Sequence, residues 1–133
     1  MYALIGAGPM GLAAARNLQK YDIPFTGFEL HSDVGGLWDI DNPHSTMYQS
    51  AHLISSRRMT EYAEFPMEDG APYPHHSEMR AYFRDYARHF GLYQHYRFNT
   101  RVTEVKPIGD EWQITYQKDG VEKRDGFQGV LIA

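Results

Sequence analysis

Three glycines, Gly6, Gly8 and Gly11, lie between a short apolar run, Ala3-Leu4-Ile5, and a segment rich in small residues. This placement constrains the chain more than any other feature. A strand that enters a G-x-G-x-x-G turn and leaves it as a helix is the first βα unit of a dinucleotide-binding fold. Gly6 takes the tight turn out of the strand. Gly8 leaves the backbone open to a pyrophosphate. Gly11, backed by Ala14 and Ala15, lets the helix pack closely on the sheet. Ala7, Pro9 and Met10 complete the turn, and Pro9 is tolerated in a first helical turn because its missing N–H has no partner there anyway. The free amides of that turn, with the positive end of the helix dipole, face a phosphate. A second strand, Phe25 to Leu30, carries Glu29 at the offset where a carboxylate accepts a ribose hydroxyl. The unit predicts a bound adenine dinucleotide.

The remaining pattern predicts an α/β, Rossmann-like domain. Residues 2–6 form the first strand, 9–20 a helix, and Tyr96-Arg97-Phe98 a third parallel strand. A long ordered loop, residues 39–76, wraps the ligand, with a helical turn near Arg57–Glu61. Ser77 caps a helix whose Met79, Tyr82, Phe83, Tyr86, Ala87 and Phe90 recur at helical spacing and read as core, and Gly91 ends it. Arg80, Arg84 and Arg88 line up four residues apart and read as a solvated face. Val102–Val105, Trp112–Tyr116 and Val121–Phe127 alternate as a three-stranded antiparallel meander, with a hairpin turn at Lys118-Asp119-Gly120. Gly129 to Ala133 reads as a buried parallel strand with no crossover helix after it. The expectation is that residues 1–133 are the first segment of a longer protein.

Composition limits the function. At 133 residues the chain forms one domain, and a net charge of −4 with pI near 5.9 argues against nucleic acid or an anionic membrane as partner. No apolar run is long enough to span a bilayer, and the amino terminus enters a strand without a leader, so a cytoplasmic setting is expected. With no cysteine, disulfide and thiolate chemistry are excluded within the chain. The adjacent His75 and His76 lack a third ligand at metal spacing, so no metal site is expected.

Past Glu29 comes Gly35-Gly36-Leu37-Trp38. A glycine pair admits close backbone approach, and a large flat side chain there suits an isoalloxazine ring better than a nicotinamide that comes and goes. His52 is the one loop histidine expected near such a ring.

These residues resemble the amino-terminal part of a flavin-containing monooxygenase. The resemblance rests on Gly6-Ala7-Gly8-Pro9-Met10-Gly11-Leu12, Glu29 with Gly35-Gly36-Leu37-Trp38, and Met47-Tyr48-Gln49-Ser50. It extends through Phe65-Pro66-Met67, His76-Ser77-Glu78, Tyr86 to Leu92 and Val130 to Ala133. It implies FAD, with its pyrophosphate over Gly6 to Gly11, its ribose on Glu29, Leu37 and Trp38 near the flavin, and the Val102 backbone at the adenine edge. It further implies reduction by NADPH, and oxygenation of a soft nitrogen or sulfur of a small molecule by O2 through a flavin hydroperoxide. One departure stands out. The asparagine many members place near the flavin falls, counted without gaps, on Ile54, leaving Ser55 or His52 to supply a polar contact. A flavin-dependent NAD(P)H reductase that transfers no oxygen is the alternative this raises. A non-catalytic NAD(H) sensor would leave Gly35 to Trp38 without a purpose. Substrate and oligomeric state are not legible.

Overall fold

The computed structural model describes residues 1–133. It has two sheets. Strands β1 (Tyr2–Ile5), β2 (Phe25–Phe28), β3 (Tyr96–Arg97) and β7 (Gly129–Ile132) form a parallel sheet in the order β3-β2-β1-β7. Strands β4 (Thr100–Ile108), β5 (Glu111–Lys118) and β6 (Val121–Phe127) form the expected antiparallel meander. Helix α1 (Pro9–Lys20) connects β1 to β2, α2 (Arg57–Thr60) is the helical turn in the long loop, and α3 (His76–His89) is the aromatic-striped helix.

Alternation along the parallel strands builds two cores. Leu4 and Phe25 face Leu12, Ala15 and Leu18 of α1 and Met79, Phe83 and Tyr86 of α3. Ala3 and Phe28 face the other way, onto Ile114, Tyr116 and Phe127 of the meander. The sheet centre is thus covered on both sides, as parallel strands require. Asp119 and Gly120 both take positive φ (52° and 76°), the conformation that closes a two-residue hairpin between Lys118 and Val121.

Three expectations need correction. The cap of α3 is His75, one residue outside the helix, and not Ser77. His75 Nδ1 accepts the Ser77 N–H at 3.3 Å, while Glu78 Oε2 accepts the His75 N–H at 2.9 Å. This reciprocal pair fixes the neutral tautomer with its proton on Nε2, which donates to the Gln49 carbonyl at 2.7 Å and ties the long loop to the helix start. Strand β7 pairs with β1 in parallel register but is half-buried, and Ile132 is exposed, because β7 is a sheet edge with no helix of this chain over it. The arginine row on α3 is not a solvated face. Arg80 and Arg84 turn inward onto the carboxylate of Asp39, whose side chain is 1% exposed, and only Arg88 lies on the surface, beside Asp85.

Candidate functional site

The glycine turn lies at the carboxyl ends of β1 and β2, between them and the start of α1. Each glycine has a different reason to be there. Gly6 has φ +106°, and a Cβ on it would lie 2.2 Å from the Ala133 carbonyl oxygen; one on Gly11 would lie 2.1 Å from the Gly6 carbonyl oxygen. The chain itself excludes side chains at both positions. Gly8 is different. Its φ of −72° suits any residue, and the only neighbour of a Cβ there would be the Gly36 Cα at 3.8 Å, an ordinary contact. Nothing in the protein requires glycine at Gly8, so the space in front of it is left for something else.

The donors around that space are free. No side chain caps α1, and the amides of Gly8, Met10 and Gly11 have no acceptor within the chain; the first helical bond runs from the Leu12 N–H to the Gly8 carbonyl at 2.9 Å. Pro9 occupies the first helical position without a donor, and the Met10 side chain points into solvent. Three free amides at a helix mouth are suited by charge and direction to an anion.

Glu29 stands beside the turn. It is buried, and its two carboxylate oxygens accept the Ala7 N–H and the His31 N–H, each at 2.7 Å. Its own backbone is fixed by the Glu29 N–H to Arg97 carbonyl and Thr100 N–H to Glu29 carbonyl bonds. A cleft of about 280 Å³ opens next to it, lined by Ile5, Gly6, Phe28, Leu30, Arg101 and Val102 among others. Gly6, Glu29 and Val102 therefore share one hollow, which has the size of a nucleoside rather than of a whole dinucleotide.

The second glycine pair docks onto the first. The Gly35 N–H donates to the Ala7 carbonyl at 3.0 Å, and Gly36, with φ +56°, approaches Gly8 so closely that a Cβ would sit 3.0 Å from its Cα. Gly36 to Trp38 form a single 3-10 turn, with Leu37 exposed and Trp38 half-buried against the helical core. Val102, Glu29 and Gly6 share the hollow, and Gly36 adjoins Gly8 on the same glycine turn.

His52, Ile54 and Ser55 lie on the long loop. They sit on the stretch held against the start of α3 by the His76 N–H to Ala51 carbonyl bond and the Leu53 N–H to Pro74 carbonyl bond, and all three are exposed, Ile54 to 96%. The side chains of His52 and Ser55 bond only to Ser50 and Thr60.

Sequence reasoning missed Tyr96. Its hydroxyl lies beneath the turn and donates to the carbonyls of Gly6 and Gly11 at 3.2 and 3.1 Å, and burial pushes its pKa well above the usual tyrosine range. Its ring crosses β2 at Gly27, where a Cβ would lie 2.4 Å from it. A glycine inside an apolar strand marks such a close approach, and that was the available signal. Tyr62 supports the turn from the other side by donating to the Pro9 carbonyl.

Fold and site together define a dinucleotide-binding α/β domain of Rossmann type. Its family follows from comparison. The flavin-binding monooxygenase-like family matches residues 1–133, and the chain belongs to it. That family consists of oxidoreductases that use FAD and NADPH. Flavin-containing monooxygenase 5 of Rattus norvegicus is 33% identical over 140 residues, covering 98% of this chain and 26% of its own length. Flavin-containing monooxygenase FMO GS-OX-like 5 of Arabidopsis thaliana is 33% identical over 157 residues, covering 98% of this chain and 35% of its own. The solved S-allyl-L-cysteine S-oxygenase from Allium sativum superposes with a TM-score of 0.89 at 27% identity, over 98% of this chain and 35% of that one. The chain thus spans between a quarter and about a third of these relatives. No helix is long and apolar enough to cross a membrane.

Proposed function

We propose that residues 1–133 are the FAD-binding part of a longer, NADPH-dependent monooxygenase that oxygenates a nitrogen or sulfur of a small molecule. The observation that carries this is Gly8: a glycine that the fold does not need, facing unpaired helix-mouth amides beside a buried carboxylate. An anionic diphosphate flanked by a ribose matches that donor and acceptor set.

In this reading the amides of Gly8, Met10 and Gly11 hold the pyrophosphate. Glu29 keeps its Ala7 and His31 bonds and accepts a ribose hydroxyl with its remaining lone pairs. The Val102 strand edges the adenine, and Gly36, Leu37 and Trp38 lie along the flavin half. FAD held there would supply the redox and O2 chemistry, with NADPH as reductant, by which one oxygen atom goes to the substrate and one to water. The protein's share is binding, orientation and exclusion of water; no nucleophile or acid–base pair near the turn competes with that assignment. His52 and Ser55 would reach the cofactor only from the loop held on α3.

The test is the full-length protein. It should purify yellow, release FAD on denaturation, and oxidise NADPH faster when an amine or sulfide is added, with stoichiometric N- or S-oxide. A colourless protein that takes up no FAD contradicts the reading. NADPH consumed with hydrogen peroxide as the only product assigns it to the reductase class instead.

A further inference from the structure

The turn that carries Gly36, Leu37 and Trp38 is bounded by two aspartates, Asp33 and Asp39, and both are held by one residue of α3. Arg84 Nη2 donates to Asp39 Oδ2 at 2.7 Å, and Arg84 Nε lies 2.9 Å from Asp33 Oδ2, a charge contact rather than an aligned hydrogen bond. Each aspartate has a second anchor. The Tyr93 hydroxyl donates to Asp33 Oδ1 at 2.6 Å, while Arg80 and the Asp41 N–H donate to Asp39 Oδ1 at 3.2 and 3.1 Å. His31 Nε2 stands 3.2 Å from Asp39 Oδ2, and Arg80 also reaches Asp41 at 2.8 Å. Asp39 is fully buried, and an isolated carboxylate is not left in such a place without compensation.

We infer that Arg84 is a positioning residue for the flavin half of the cofactor, closing the ends of the Gly35–Trp38 turn onto α3 as a staple. The inference rests on the FAD reading above. The adenosine hollow meets this network at one residue, His31, whose N–H donates to Glu29 Oε1 and whose ring faces Asp39. The Glu29 to Ala7 bond, the Val102 strand and the glycine turn are held by backbone pairing and by Tyr96, apart from it. The turn itself has little intrinsic preference for its shape, because Gly35 and Gly36 both take positive φ (116° and 56°) and are conformationally free once released. Its outer support is the ion-pair network together with the bonds that Asn42 Nδ2 and Ser45 Oγ donate to the Gly36 and Leu37 carbonyls, and the Gly35 to Ala7 bond is its one hydrogen bond to the phosphate turn. A lysine cannot replace the arginine, since one ammonium does not span two carboxylates with a planar fork.

The experiment compares FAD with ADP on the full-length protein, because ADP carries the adenosine and diphosphate but no flavin. Arg84→Gln should weaken FAD about tenfold or more, the loss expected when a preorganised loop is released, with ADP affinity unchanged. The visible circular dichroism of the bound flavin should collapse in parallel. Arg84→Lys should not restore either signal, and Arg88→Gln, on the exposed pair, should match the parent. If Arg84→Gln does not fold, Tyr93→Phe removes only the Asp33 anchor and should shift FAD in the same direction by a smaller factor. Parallel loss of FAD and ADP, or an unchanged FAD affinity, overturns the inference while leaving the FAD reading intact. A parent protein that binds no FAD overturns both.

Discussion

The Ala7 amide donates to Glu29 Oε2 at 2.7 Å, so the glycine turn and the end of β2 are joined before any ligand arrives. The carboxylate is thereby aimed at the turn and already desolvated. Glu29→Ala leaves the Ala7 and His31 amides without acceptors, at about 1–3 kcal/mol for each buried donor. Lower thermal stability together with weaker binding of both ADP and FAD is expected. Equal ADP affinity in parent and variant, measured by calorimetry, would remove Glu29 from the ribose site.

Tyr96 makes a narrower prediction. Tyr96→Phe keeps the ring across Gly27 but removes both hydrogen bonds to the turn, costing about 1 kcal/mol. Because those carbonyls set the turn's shape, ADP affinity should fall with stability. A urea melt alongside ADP titration checks this, and a stability loss without any affinity change would make Tyr96 a core residue only.

The βαβ start, the meander and the aromatic face of α3 were legible, because each depends on local periodicity or on residues a few positions apart. The apolar run of β7 marked a parallel strand, but its half-buried place at the sheet edge depends on β1 at the other end of the chain. The arginine staple was not legible. Arg80 and Arg84 are separated from Asp39 by some forty residues, and spacing alone cannot tell a cation facing water from one facing a buried acid. The His75 cap was missed for a chemical reason: Ser77 is the commoner cap, and an imidazole can cap only when another bond fixes its tautomer, here to Gln49. The part of the site on the glycine turn was readable because glycine is diagnostic there. Tyr96 was hidden because it reaches the turn from a strand some ninety residues away in sequence.

The network also sets a pH response. Burial pushes the Asp39 carboxyl up, but the Arg80 hydrogen bond, the Asp41 amide and the charges of Arg84 and Arg80 outweigh it and hold the pKa below the usual range. The folded state therefore binds this proton less readily than the unfolded chain. The stabilisation is complete above the ordinary aspartate range and is lost as pH falls through the lower folded value, below about pH 4. Asp39→Asn should be less stable at pH 7 by about 3 kcal/mol, and its melting temperature should fall less steeply on acidification than the parent's. Parallel curves would show that Asp39 does not govern the acid limb.

Ile54 offers a test on the oxygenation side. It is 96% exposed, so Ile54→Asn should change stability by under about 0.5 kcal/mol. If this position overlies the flavin in the full-length protein, the substitution should raise oxygenated product per NADPH at the expense of hydrogen peroxide. An unchanged ratio would place the residue away from the reacting atoms.

The most direct measurement of the central claim is FAD affinity in the full-length Gly8→Ala variant. The backbone at Gly8 suits alanine, and the added methyl would meet nothing nearer than the Gly36 Cα at 3.8 Å, so the fold should be unchanged or slightly more stable. A methyl group in front of the free amides should nevertheless weaken FAD and ADP alike by about tenfold or more, each factor of ten being about 1.4 kcal/mol. Parent-like affinity in a folded Gly8→Ala protein would mean that no diphosphate lies against this turn, and the account would fail there.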